Sequence, residues 1–192
     1  MQNLLYILIL LLGIATYGSA VIQMLNDQYS PSFFSRGVWF LLGIVSFGAV
    51  LAGDGSPSAV LLAATLFTGN AMVFLVSYKK GSREFGNVEK ISLLLLMTSV
   101  AAWVLLDSPF LGLIISLVAH FIGGIPTIWR TLKRPESEQA FHWYFFFAAS
   151  IVTILNSEDR SITVILFPLY FMIFDGIIII LANRHRIHAL LR

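Results

Sequence analysis

Charged residues in this chain fall in clumps, and between the clumps it is apolar for long stretches. Positions 1–26, 37–53, 55–78, 91–106, 108–129 and 139–157 hold no Asp, Glu, Lys or Arg, and 161–183 holds one, Asp175. A membrane-crossing helix needs about 20 apolar residues, within a range of about 17–25. The pattern therefore predicts seven spans. The second and fourth runs are short, and Phe33 and Phe34 extend the second at its start. The two-residue alternation of a membrane β-barrel is absent. The first run has no basic residue before it in Met1-Gln2-Asn3 and is long for a signal, so it is read as a span and not as a cleaved leader.

Punctuation agrees with that division. Pro31, Pro57, Pro109 and Pro135 each stand just before a span. A first-turn proline costs no helical hydrogen bond there. Gly53-Asp54-Gly55-Ser56-Pro57, Asp107-Ser108-Pro109 and the segment 156–161 read as tight turns. No connection is long enough to hold a soluble domain.

Composition narrows the class. The 192 residues are 58% hydrophobic and 11% charged, against about 25% charged for a soluble domain. A soluble enzyme, a nucleic-acid binder and a disordered chain all fit poorly; the partner for most of the surface is the lipid bilayer. There is no cysteine, which removes disulfides and thiolate chemistry. Eleven of the twelve Lys and Arg fall on alternate connections and the tail: Arg36; Lys79, Lys80, Arg83 and Lys90; Arg130, Lys133 and Arg134; Arg184, Arg186 and Arg192. Only Arg160 falls on the other side. The positive-inside rule then puts the N-terminus outside and the C-terminus in the cytoplasm.

The first three spans and the last three share a pattern. At an offset of 104, Pro31 falls on Pro135, Trp39 on Trp143 and Ser46 on Ser150. At an offset of 105, Asn70 falls on Asp175 and Lys79 on Arg184. This predicts an all-α membrane protein of two three-helix bundles, residues 1–81 and 108–192, joined by a connector helix within 82–107. An odd connector makes the bundles parallel, related by an axis along the membrane normal. Such repeats put a binding site between the halves near mid-membrane.

The three-one-three plan, with Ile125-Pro126-Thr127-Ile128-Trp129-Arg130-Thr131-Leu132-Lys133, resembles the SWEET sugar transporters and the wider PQ-loop superfamily. Those residues look like the family's Pro-Gln motif and its short basic loop. Thr127 stands where the motif has Gln, and the first half has Ile22-Gln23 at the aligned pair. The nicotinamide riboside transporters and the KDEL receptors have a similar plan, so the fold leaves the cargo open. The chain also looks like small bacterial membrane proteins, which implies the plasma (inner) membrane.

Candidate chemistry centres on Asp175. It stands nine residues before Arg184, so about 13.5 Å deep at 1.5 Å per residue. A carboxylate at that depth is costly unless it is neutral, paired or hydrated. It is read as a substrate or proton site, the alternative being a protonated acid bonded to a neighbouring helix. Asn70 has equal depth before Lys79. The resemblance implies an Asn on each of the third and seventh helices facing a central sugar; here one of the two is Asp, which suggests a cationic or proton-linked cargo or a different hydrogen-bond pattern, the alternative for Asn70 being a bond between helices. Ser46 and Ser150, sharing helix faces with Trp39 and Trp143, are read as walls of the pocket, the alternative being hydroxyls bonded to the backbone of their own helices. The two Trp residues are gates or members of the interfacial belt. Pro126 is a hinge or a static kink in the fifth span, and Pro168 a kink in the seventh. His120 is a proton relay with Asp175 or a packing residue; His142, His185 and His188 are read as interfacial.

No metal-ligand pair, Walker motif, GxGxxG or Ser/His/Asp set is present in the sequence, and no cofactor or catalysis is expected. The last span has no Lys, so a retinal Schiff base is excluded. The expectation is an alternating-access transporter of a small polar molecule, driven by a gradient that can be protons through Asp175, with a homo-oligomer possible. The competing expectation is a receptor or scaffold that binds a lipid head group or peptide end and moves nothing.

Overall fold

The computed structural model describes residues 2–83, 85–135 and 141–190, excepting the side chains of residues 141 and 185–190. The tail residues His185, Arg186, His188 and Arg192 therefore lie outside the described side chains. Seven helices follow in order: α1 (Gln2–Leu25), α2 (Phe33–Ala52), α3 (Pro57–Lys80), α4 (Asn87–Leu106), α5 (Pro109–Lys133), α6 (Phe141–Asn156) and α7 (Ile162–Leu190). Six are long and apolar enough to cross a membrane; α6 is apolar and shorter, with 16 residues. Seven full-length spans were expected; six are present at full length among the described residues, and α6 is described only from Phe141 onward.

Local chemistry fixes the helix starts. Ser32, Ser56 and Ser108 each precede a helix, and each hydroxyl accepts a backbone N–H of the first turn, from Ser35, Ala59 and Leu111. Pro57 and Pro109 occupy the first turns of α3 and α5. Where α4 starts, Glu89 reaches back to accept the Gly86 N–H at 2.8 Å. The turns after α1, α2 and α4 use Asp27, Asp54 and Asp107 with φ near +50°, a conformation that Asp tolerates better than most residues.

Packing is inverted relative to a soluble bundle. Leu4, Leu11 and Ile14 of α1 and Leu94, Met97, Val104 and Leu105 of α4 are exposed. Ser92 and Ser99 of α4 are buried instead, and Ser99 Oγ donates to the Gly112 carbonyl at 2.6 Å. Apolar outside and hydroxyl inside is the sense expected when lipid is the solvent. α1 packs on α3 and α6; α3 also packs on α2; α2 packs on α5 and α4; α7 packs on α6, α5 and α3; α4 lies against α5 and α2.

The helix ends are tied. At the end that carries most of the Lys and Arg, Phe33 N–H donates to the Ser82 carbonyl and Ser82 N–H to the Pro31 carbonyl. Ser35 Oγ donates to Glu89 at 2.5 Å, and Arg184 donates to the Thr131 carbonyl at 3.1 Å. The Lys80–Asp27 ion pair there is exposed, and such pairs contribute about 0–1 kcal/mol. At the opposite end a hydroxyl cluster joins α3 to α6. Ser56 Oγ lies 3.0 Å from Ser157 Oγ and 3.1 Å from Ser58 Oγ. Gln2 Nε2 donates to Glu158 at 2.9 Å beside it.

Candidate functional site

A cavity sits between the helices, and residues from six of the seven line it. They include Thr16 and Tyr17 (α1), Arg36 and Trp39 (α2), Asn70 (α3), His120 (α5), His142 and Trp143 (α6), and Phe171 and Asp175 (α7). Its free space is about 40 Å³, room for about three waters. A wider vestibule of about 510 Å³ lies toward the basic end, lined by Ser35, Arg36, Glu89, Pro126, Thr127 and Arg130 among others. Tyr29, Arg36 and Trp39 line both spaces, so these three side chains form the boundary between them.

The boundary is a stack. The Arg36 guanidinium donates to the Tyr29 hydroxyl and lies 4.7 Å from the Trp39 ring centroid. Trp39 lies 4.6 Å from the His120 ring, and His120 in turn 5.1 Å from Phe174. Among the described residues no carboxylate lies within ion-pair distance of Arg36. Trp39 Nε1 is buried without an acceptor. It faces the backbone of Gly123, where a Cβ would come within 2.8 Å of it.

Further in stand the two residues at matching depth. Asn70 is 2% exposed and Asp175 1%. Asn70 Nδ2 donates to the Leu66 carbonyl of its own helix at 3.0 Å. Asp175 Oδ2 is buried with no hydrogen-bond partner, and Tyr17 lines the same chamber. Tyr17 reaches this position because Gly69, next to Asn70, lets α1 approach; a Cβ on Gly69 would overlap the Tyr17 ring.

Several sequence expectations change here. Ser46 and Ser150 are buried but do not line the cavity. Ser46 Oγ lies 3.1 Å from Ser116 Oγ and joins α2 to α5; Ser150 Oγ donates to the Phe146 carbonyl in its own helix. A helix face shared with Trp is too coarse a criterion, because a hydroxyl satisfied on an adjacent groove turns away from the cavity. His120 lines the cavity, and its Nδ1 lies 2.9 Å from the Tyr170 hydroxyl, so its hydrogen-bond partner is a phenol and not Asp175. His142 was expected at the interface and is buried in the cavity wall. Trp39 and Trp143 are both buried there too, away from a lipid belt. Pro126 lies within α5 and on the vestibule. Tyr17, Tyr29 and Arg36 were not singled out from the sequence. Arg36 was legible only as a topology-setting charge.

Among the described residues no three His, Cys, Asp or Glu side chains converge as a metal site requires. What the arrangement offers is a small, mostly aromatic chamber with a carboxyl at its inner part and a guanidinium at its mouth. Fold and site thus describe a helical membrane protein with an internal chamber. No protein-family model, curated protein or solved structure matches the chain.

Proposed function

We propose that this protein transports a small polar solute across the plasma membrane by alternating access, with the cargo bound between two parallel three-helix halves. The observation that carries the reading is that Asn70 and Asp175, from α3 and α7, line one buried chamber although 105 positions apart in the chain. A carboxyl at mid-depth that faced lipid would have no such use.

The pattern of neighbours supports two related halves. The α1–α3 and α2–α3 contacts have counterparts in α5–α7 and α6–α7, and the α1–α6 contact has its counterpart in α5–α2. This is the pattern that a two-fold axis exchanging the halves would leave. The vestibule at one end, with the hydroxyl cluster closing α3 onto α6 at the other, supports a state that opens toward the basic side. The positive-inside rule makes that side cytoplasmic, with the N-terminus outside. Resemblance to the SWEET and PQ-loop plan points the same way. The drive is a gradient, with Asp175 as the proton-carrying group where coupling exists.

Purified protein in liposomes, offered labelled sugars, vitamins, amines and amino acids, tests this. One class should enter saturably, and Asp175→Asn and Asn70→Ala should each lower its flux at least tenfold. Flux unchanged in both variants would reject the site. A second reading, a receptor for a lipid head group or peptide end, draws on the roomy vestibule with Arg36 and Arg130 on its wall. It requires binding with no flux and no loss on Asn70→Ala.

A further inference from the structure

The chamber carries a carboxyl and a guanidinium that do not contact each other. Asp175 and Arg36 line the same space, and they are not within ion-pair distance. Asp175 Oδ2 has no hydrogen-bond partner. Of the guanidinium's five donors, the Tyr29 hydroxyl takes one, and its faces rest on the Trp39 and Tyr29 rings. Arg36 belongs to the vestibule as well, so it marks the mouth, while Asp175 lies within.

We propose that the occupant of this chamber is a small zwitterion of the amino-acid type, with its ammonium on Asp175 and its carboxylate on Arg36. The assignment rests on the reading of this chamber as the cargo site. A simple amine would satisfy Asp175 and meet the unneutralised Arg36 at the mouth. A simple carboxylate would satisfy Arg36 and meet Asp175. Either leaves one of the two groups without its counterpart in a small, mostly apolar chamber, where that is costly. A neutral sugar would leave the guanidinium without a counter-charge. A zwitterion pairs both groups at once. The ring walls also favour it, since an ammonium is attracted to aromatic faces. The confined space selects for a short side chain.

The test uses the full chain and matched probes. Alanine and γ-aminobutyrate are the zwitterions, ethylamine is alanine without its carboxylate, propionate is alanine without its amine, and glucose is the neutral control. Binding is read as thermal stabilisation in detergent and by equilibrium dialysis, and transport as uptake into liposomes. At least one zwitterion should bind, with the amine, the acid and glucose at least tenfold weaker. Arg36→Gln should narrow the gap between alanine and ethylamine, and Asp175→Asn the gap between alanine and propionate. Such opposite changes in selectivity do not arise from general damage to the fold. Binding of ethylamine or glucose as tightly as alanine would overturn the assignment, as would the absence of zwitterion binding. Uptake of a sugar or amine would overturn it while leaving transport standing. Zwitterion binding without uptake would sustain it and reject transport.

Discussion

Asp175 shows how a single residue can be poor for stability and still occupy the centre of a fold. Its Oδ2 has no partner, and an unmet buried acceptor costs about 1–3 kcal/mol. Asp175→Asn should therefore melt no lower than the parent in detergent, and Asp175→Leu no lower than Asp175→Asn. A drop of several degrees in either would mean that the carboxyl holds the bundle together. Outside the spans, Asp159 accepts the Ser161 N–H at 2.7 Å and the Ser161 hydroxyl at 2.9 Å. These bonds hold its carboxyl below the usual carboxylate range. A depressed folded value means the contribution is present above the unfolded pKa and is lost as pH falls through the folded one. Melting curves should thus show a small acid-side loss that Asp159→Asn abolishes. At this scale the sequence was partly legible. Depth from the nearest basic residue singled out Asn70 and Asp175, because depth is a one-dimensional quantity. The lateral direction of Ser46 is two-dimensional, and the partner that decides it, Ser116, lies 70 positions away.

Helix crossings are set by where side chains are missing. The α1–α3 pair depends on Gly69 accommodating Tyr17, and on Gly13, where a Cβ would meet Thr65 within 2.8 Å. Gly69→Ala should destabilise by about 1–3 kcal/mol, measured by reversible denaturation in detergent, and Tyr17→Ala in the same chain should recover much of the loss. A simple sum of the two losses would disprove that contact. The seam between α3 and α6 is lighter. A double-mutant cycle on Ser56→Ala and Ser157→Ala should give a coupling of about 0.6 kcal/mol, the usual size for hydroxyl pairs between membrane helices. Helix boundaries were the most legible level, because charge clumps, Ser caps and Ser-Pro pairs act within a few residues.

For the whole molecule the orientation can be read directly, since the chain has no cysteine. Single replacements Lys90→Cys and Arg160→Cys, labelled with a membrane-impermeant maleimide in intact cells, should differ. Arg160→Cys should react at once, and Lys90→Cys only after lysis. The reverse would invert the topology. Helix count and connectivity were legible because lipid imposes them on composition. The neighbour relations of α1 with α6 and α2 with α5 were not, as nothing in a run of Leu and Ile says which face meets which helix. One feature of the assembled bundle bears on how it could move. In the seam that joins α3 to α6, Ser157 also donates to the Thr153 carbonyl of its own helix at 2.9 Å, and Ser58 lies within reach of that carbonyl from across the gap. When the seam parts, a serine can fall back on its own backbone instead of facing hydrocarbon unsatisfied. The join is therefore a fastener that can be undone and remade without stranding a donor, and the two helices can separate there at little enthalpic expense.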